Sequence, residues 1–239
     1  MTVKTIVFDL DNTLADFMRM KMVASREAAA AMMGFGAEFG NGDVDAVGEE
    51  IFGHYLEHGI ESNDAFISFI QKRMPDIAPD KAESIAAAGV VAYLRAKDAL
   101  LSPFPGVVPT LVRLTGMGLK LAVVTDAPRF KAWQRLHHLG IAEFFECVVT
   151  KCDTGCTKPS REPFERALSI LGISANEALM VGDWPERDTA GAKAVGMRTA
   201  HAAYGAFRKT AQSGAEFDLQ NIKELPGIIE RINREGERR

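Results

Sequence analysis

Residues 8–14 read FDLDNTL and follow the apolar run VKTIV, so Asp9 and Asp11 stand where a buried strand should end. No basic residue follows them until Arg19. Two carboxylates about 5 Å apart, at an effective dielectric of about 20, repel by about 3 kcal/mol, so their charge must be met from elsewhere in the chain. Further polar residues end later apolar runs: Thr125 and Asp126 in VVTDAP, Lys158 in TKPSREPF, and Asp183 with Asp188 in MVGDWPERD. A carboxylate pair, a hydroxyl, a lysine and a second acidic pair form a set suited to phosphoryl transfer. Asp9 with Asp183, and Asp188 able to join them, makes a hard oxygen site for Mg²⁺ that shares its coordination with a substrate phosphate. The Thr125 hydroxyl and the Lys158 ammonium can donate to a dianionic group held there, and Thr125, Asp126 and Lys158 are the expected substrate contacts. Asp9, beside the metal, is the expected nucleophile and forms an aspartyl-phosphate. Asp11 then protonates the leaving alcohol and later deprotonates the attacking water. Mg²⁺ and Lys158 are the expected compensating charges for the two aspartates.

These residues need a frame. From residue 103 onward short apolar runs alternate with helical patterns: LKLAVV, a helix over FKAWQRLHHL, ECVV, the helix PFERALSIL, ALMVG, a helix of small residues to Gly196, and MRTAHA. Leu225, Ile228, Ile229 and Ile232 then give a final packing helix. This alternation predicts an α/β protein with a parallel sheet, whose ligands bind outside the carboxyl ends of the strands. Residues 17–100 contain helical patterns and no convincing strand. Asp16 is placed to cap FMRMKMVASREAAAAMM, DVDAVGEEIFGHYLEHG and PDKAESIAAAGVVAYLRAKDAL read as helices, and Ser62 is placed to cap FISFIQKRM before Pro75. The predicted organisation is a catalytic core of residues 1–16 and 101–239, with residues 17–100 inserted as a helical subdomain over the carboxyl edge of the sheet.

Composition narrows the partners. The 239 residues are 47% hydrophobic and 25% charged, as in a globular protein, and 28 Lys and Arg against 32 Asp and Glu give a net charge of −4. No broad basic surface exists for nucleic acid. No apolar run reaches the ~18 residues of a membrane span. MTVKTIVFDL enters a strand without the features of a secretory signal, and the three cysteines are an odd set, so the expected location is the cytoplasm and the expected partner a small phosphorylated metabolite.

The chain resembles the haloacid dehalogenase superfamily, whose four motifs are matched by Asp9, Asp11 and Thr13 in DLDNT, Thr125 in VVTDAP, Lys158 in TKP, and Asp183 and Asp188 in GDWPERD. PFPGVVPTLVRL and GAKAVGMRT extend the likeness over nearly the whole chain. The resemblance implies a Rossmann-like three-layer core, a mobile helical cap between the first two motifs, Mg²⁺ dependence and an aspartyl-phosphate. It also implies metal ligation by the Asp9 carboxylate, the Asp11 main-chain carbonyl and Asp183, with Thr13 and Asp188 behind them and Asp188 orienting waters or Lys158. Dehalogenases and phosphonatases of the superfamily lack the acidic second position of the first motif, so Asp11 argues for a phosphatase. A phosphomutase on the same core is the main alternative. A signalling receiver, a phosphoacceptor without turnover, fits less well, because its phosphorylated aspartate ends the third strand, where this chain has CVVTKCD with Asp153 out of place.

Other polar residues have plainer readings. His54 and His58, four apart, lack a third ligand and are expected on a solvated surface. Cys152 and Cys156 read as free thiols. Met18, Met20, Met22, Met32 and Met33 read as adaptable packing, and at least two of Arg19, Lys21 and Arg26 as a solvated face. Arg129, Trp184 and Arg187 fall near the crevice by position alone.

Overall fold

The computed structural model describes residues 2–40, 42–58, 64–208 and 212–238. The chain divides into two compact units, Met1–Asp16 with Ser102–Arg239, and Phe17–Leu101. After strand β1 (Thr5–Phe8) come the four helices of the second unit: α1 (Phe17–Gly34), α2 (Val44–His58), α3 (Ala65–Arg73) and α4 (Pro79–Leu100). The first unit continues with α5 (Val107–Gly116), β2 (Lys120–Thr125), α6 (Arg129–His138), β3 (Cys147–Thr150), α7 (Lys151–Thr154) and α8 (Arg161–Leu171). It closes with β4 (Ala178–Gly182), α9 (Asp188–Ala194), β5 (Arg198–Ala202), β6 (Phe217–Leu219) and α10 (Leu225–Glu237).

In the helical unit α1 packs mainly on α4 and α2. Its inner face carries Ala24, Ser25, Ala28 and Ala29, small side chains that let neighbouring helices come close, with the larger Met32 filling the space beside them. Tyr55, Phe66 and Tyr93 stack around one point with ring centroids 5.7 Å apart. One expectation for this unit needs correction. His54 is buried, its Nε2 lies 2.7 Å from the Ser68 hydroxyl and its ring edge meets Phe69, because a half-apolar imidazole can tie α2 to α3. Of Arg19, Lys21 and Arg26, at least two of which are expected on a solvated face, Lys21 is the buried one, with its ammonium 4.6 Å from the centre of the Tyr55 ring and 5.4 Å from that of Phe17, so cation–π contact and apolar packing of its stem place it inside. Met18, Met20 and Met32 are buried as expected. The capping role expected of Ser62 falls outside the described residues, as does the side chain of His58. The described turn before α3 places Asp64 at its N-cap.

The core unit is a six-stranded sheet in the order β3-β2-β1-β4-β5-β6, parallel throughout. β1 (TIVF) and β4 (ALMVG) are buried along their whole length, as strands covered on both faces must be. Val7, Ala122, Val124, Val149 and Met180 turn one way onto Phe164, Ala167 and Leu168 of α8 and Ala192 of α9. Ile6, Phe8, Leu121, Val123 and Val181 alternate with them to the opposite face, the side to which right-handed crossovers send α5 and α6 and against which α10 joins α5. The result is a Rossmann-like three-layer α/β core. Among the described residues no helix is long and apolar enough to cross a membrane.

Candidate active site

β1 lies between β2 and β4, and the chain leaves it toward opposite halves of the sheet, which opens a crevice at the carboxyl ends of these strands. Asp9 follows β1, Thr125 ends β2 and Asp183 follows β4. The Asp9 N–H donates to the Val181 carbonyl at 2.9 Å and so extends the sheet by one bond exactly at the residue that carries the carboxylate's backbone. The chain then turns sharply. Asn12 adopts a left-handed conformation (φ 61) that asparagine tolerates, and its N–H donates to Ala15 O at 2.7 Å. Gly205 lies against the Asn12 carbonyl where a Cβ would overlap it, and the Tyr204 hydroxyl donates to Thr13 O at 2.7 Å. The turn that carries Asp11 and Thr13 is thus fastened from the segment after β5.

Lys158 is buried, and its ammonium donates to Asp9 Oδ1 and, at 2.7 Å, to Asp188 Oδ1. The other Asp188 oxygen accepts from the Trp184 N–H at 3.0 Å. Gly182 makes this possible, because a Cβ there would occupy the space of the Asp188 carboxylate. The Thr13 hydroxyl is 3.4 Å from both Asp9 Oδ2 and Asp183 Oδ1. Asp9, Asp183 and Asp188 each offer an oxygen, and these atoms lie within 4.8 Å of one another. Burial, with the Asp188 charge beside it, pushes the Asp9 carboxyl up to about 7 although the Lys158 ammonium opposes this. Burial first, then Asp9 and Asp188, push Asp183 up to about 9. Burial alone would depress the Lys158 ammonium, but Asp188 and Asp9 more than reverse that and hold it protonated. The raised carboxyls mark how costly full ionisation is here; once all three are ionised, they leave two negative charges over against one ammonium, so a divalent cation fits this donor set in charge and in oxygen chemistry.

The remaining expected residues fall around this centre. The Thr125 hydroxyl accepts from the Ala127 N–H at 3.2 Å, which leaves its own hydrogen to donate. The Asp126 carboxylate has partners within the protein: Oδ1 accepts from the Lys158 N–H at 2.9 Å and Oδ2 from Arg187 Nη1 at 2.9 Å. It ties the Lys158 segment to the Asp183 loop. Arg187 and Arg208 stack on Trp184, with guanidinium carbons 3.9 and 4.1 Å from the ring centre, while Arg129 pairs on the surface with Asp153 at 2.6 Å. The charge of Asp11 is not met by Lys158, as expected, but by Arg135 of α6, whose Nη1 is 2.6 Å from Asp11 Oδ2. His201 of β5 donates through Nε2 to the Asp183 carbonyl at 3.2 Å, with Nδ1 3.0 Å from Asp218.

A family model for haloacid dehalogenase-like hydrolases matches residues 3–196. The chain belongs to the haloacid dehalogenase-like hydrolases. It is 32% identical to the glyceraldehyde 3-phosphate phosphatase of Methanopyrus kandleri, over 96% of this chain and 98% of the relative. It is 30% identical to the pyrophosphatase PpaX of Halalkalibacterium halodurans, over 96% of this chain and 98% of that protein. Its fold is similar to that of a HAD phosphatase from Thermococcus onnurineus, with a TM-score of 0.66 and 24% identity over 97% of this chain and all (100%) of that one.

Within this hydrolase the sequence signalled the acidic residues but not their supports. Arg135 reads as one more polar residue in FKAWQRLHHL, and Tyr204 and His201 lie in no motif. Their partners are 124, 191 and 18 residues away, respectively, so no spacing could disclose them.

Proposed function

We propose that this hydrolase is a Mg²⁺-dependent phosphatase of small phosphomonoesters, with Asp9 as nucleophile and Asp11 as general acid and base. The observation that carries the reading is the placing of Asp9 beside Lys158, Asp183 and Asp188, with Thr125 at the adjacent strand end. Asp9, Asp183 and the Asp11 main-chain carbonyl would hold the cation. When bound, it supplies positive charge against the phosphoryl oxygens and the crowded carboxylates.

The residues then divide the work. Asp9 attacks phosphorus as the bond to the leaving oxygen breaks, and Asp11 gives that oxygen a proton. Lys158 and the Thr125 hydroxyl donate to the transferring group. Asp188 holds Lys158 in place from behind, and Thr13 bridges Asp9 and Asp183. In the second half Asp11 takes a proton from water, the water oxygen bonds to phosphorus, and the bond from Asp9 to phosphorus breaks. The helical unit Phe17–Leu101 acts as the cap that selects substrate and excludes bulk water.

Phosphatase relatives support hydrolysis over a mutase, and three-carbon sugar phosphates head the substrate candidates because glyceraldehyde 3-phosphate appears in the names of several relatives. A phosphate-release screen tests the reading. With Mg²⁺, a panel holding glyceraldehyde 3-phosphate, other small phosphomonoesters, pyrophosphate and an aryl phosphate should yield free phosphate from at least one monoester. No release from any of them overturns it, and conversion of a sugar phosphate to its isomer, primed by a bisphosphate, would favour the mutase.

A further inference from the structure

The inner face of α6 carries Ala132, Arg135 and Leu136, all buried. Arg135 therefore occupies a position at which the helix pattern calls for an apolar side chain. Packing does not account for it, since apolar residues of similar volume commonly replace a buried ion pair with no loss of stability. Its guanidinium is instead directed at one of the two aspartates of the reaction. The Arg135 and Asp11 side chains are 5% and 25% exposed, and the contact of 2.6 Å is short even for a charge-assisted bond.

The two aspartates of the first motif thus have different cations. Lys158 serves Asp9 and Asp188, and Arg135 serves Asp11. We propose that Arg135 is a positioning residue for proton transfer: fixed on α6, it orients the Asp11 carboxylate and meets the charge that appears there when Asp11 gives up its proton. The proposal rests on the assignment of Asp11 as acid and base above. A guanidinium keeps its protons at any pH the protein meets, so Arg135 is no relay. It holds Oδ2, and the exchanged proton travels on the other oxygen. As the bond from phosphorus to the leaving oxygen breaks, the Asp11 O–H proton moves to that oxygen and the new carboxylate faces a cation already in place. As water attacks, its proton returns to Asp11. A cation preplaced on a helix needs no reorganisation at either moment.

The test is a kinetic cycle of Arg135→Gln and Arg135→Lys, each made in the wild type and in Asp11→Asn, with steady-state phosphate release from an alkyl phosphomonoester. Arg135→Gln should lower kcat by about 10- to 100-fold and leave KM within about threefold, a share of what a general acid and base contributes. Arg135→Lys should recover most of that loss. In Asp11→Asn, Arg135→Gln should change kcat by less than about twofold, because the two residues act as one unit. With an aryl phosphate, whose leaving group needs no proton, the burst of aryl alcohol should persist in Arg135→Gln while later turnover slows.

An equal fractional loss in both backgrounds, or a raised KM with unchanged kcat, overturns the proposal. Should Arg135→Gln not fold, Asp11→Asn with Arg135→Met leaves no unpaired charge and is compared with Asp11→Asn alone, with the same outcomes. Failure of the underlying reading looks different: the wild type releases no phosphate, or Asp11→Asn is as active as the wild type. Impaired Asp11→Asn beside fully active Arg135→Gln sinks this proposal alone.

Discussion

One ammonium serves two carboxylates at this centre, so the loss of Lys158 is felt at both. Lys158→Met would leave Asp9 and Asp188 buried without their cation, which costs about 3–5 kcal/mol when one partner of a buried pair is removed. A lower melting temperature together with phosphate release reduced at least about 100-fold is the expected result; a variant that melts and turns over like the wild type would refute the arrangement. Gly182 gives a subtler test at the same scale. Gly182→Ala must push Asp188 off Lys158, so kcat should fall by about tenfold or more while the circular dichroism spectrum stays native. The sequence disclosed the carboxylates and Lys158 because few roles suit such groups at strand ends. It could not disclose Arg135, Tyr204 or His201, whose meaning lies in a partner brought close only by the fold, nor that the Asp126 oxygens join two loops.

At the scale of elements, the strands and the long helices were legible from periodicity. The pattern Leu225, Ile228, Ile229, Ile232 became α10, on which Leu225, Ile229 and Ile232 are buried. Ile229→Ala should therefore cost about 2–4 kcal/mol, lowering the melting temperature while kcat/KM measured below the transition stays unchanged. A fall in kcat/KM at constant stability would mean that α10 does more than pack. β6 was not legible: it is three residues long, carries a charge at Asp218, and owes its pairing to β5 rather than to any pattern of its own. The helix α5, with Pro109 in its first turn, was also not predicted. His54 was misjudged for a related reason. Its polarity suggested solvent, whereas Ser68 supplies a partner within the helical unit.

For the molecule as a whole, charge decides activity. Three carboxylates and one ammonium require a cation for the chain to hold a dianionic phosphate, so removal of divalent ions by a chelator should stop phosphate release and Mg²⁺ should restore it. Mg²⁺ at about 100 times its Kd should also stabilise the protein by about 2.7 kcal/mol, seen as a rise in melting temperature that shrinks in Asp183→Asn. Undiminished turnover in excess chelator would contradict the charge argument. The central claim is that Asp9 itself accepts the phosphoryl group. Its most direct test is acid quenching during steady-state turnover, followed by mass spectrometry of the peptide that carries residues 8–14. The account predicts the mass of one phosphoryl group on Asp9, absent in Asp9→Asn, which should also fail to release phosphate. Turnover with Asp9 unmodified, or Asp9→Asn turning over at the wild-type rate, would contradict it.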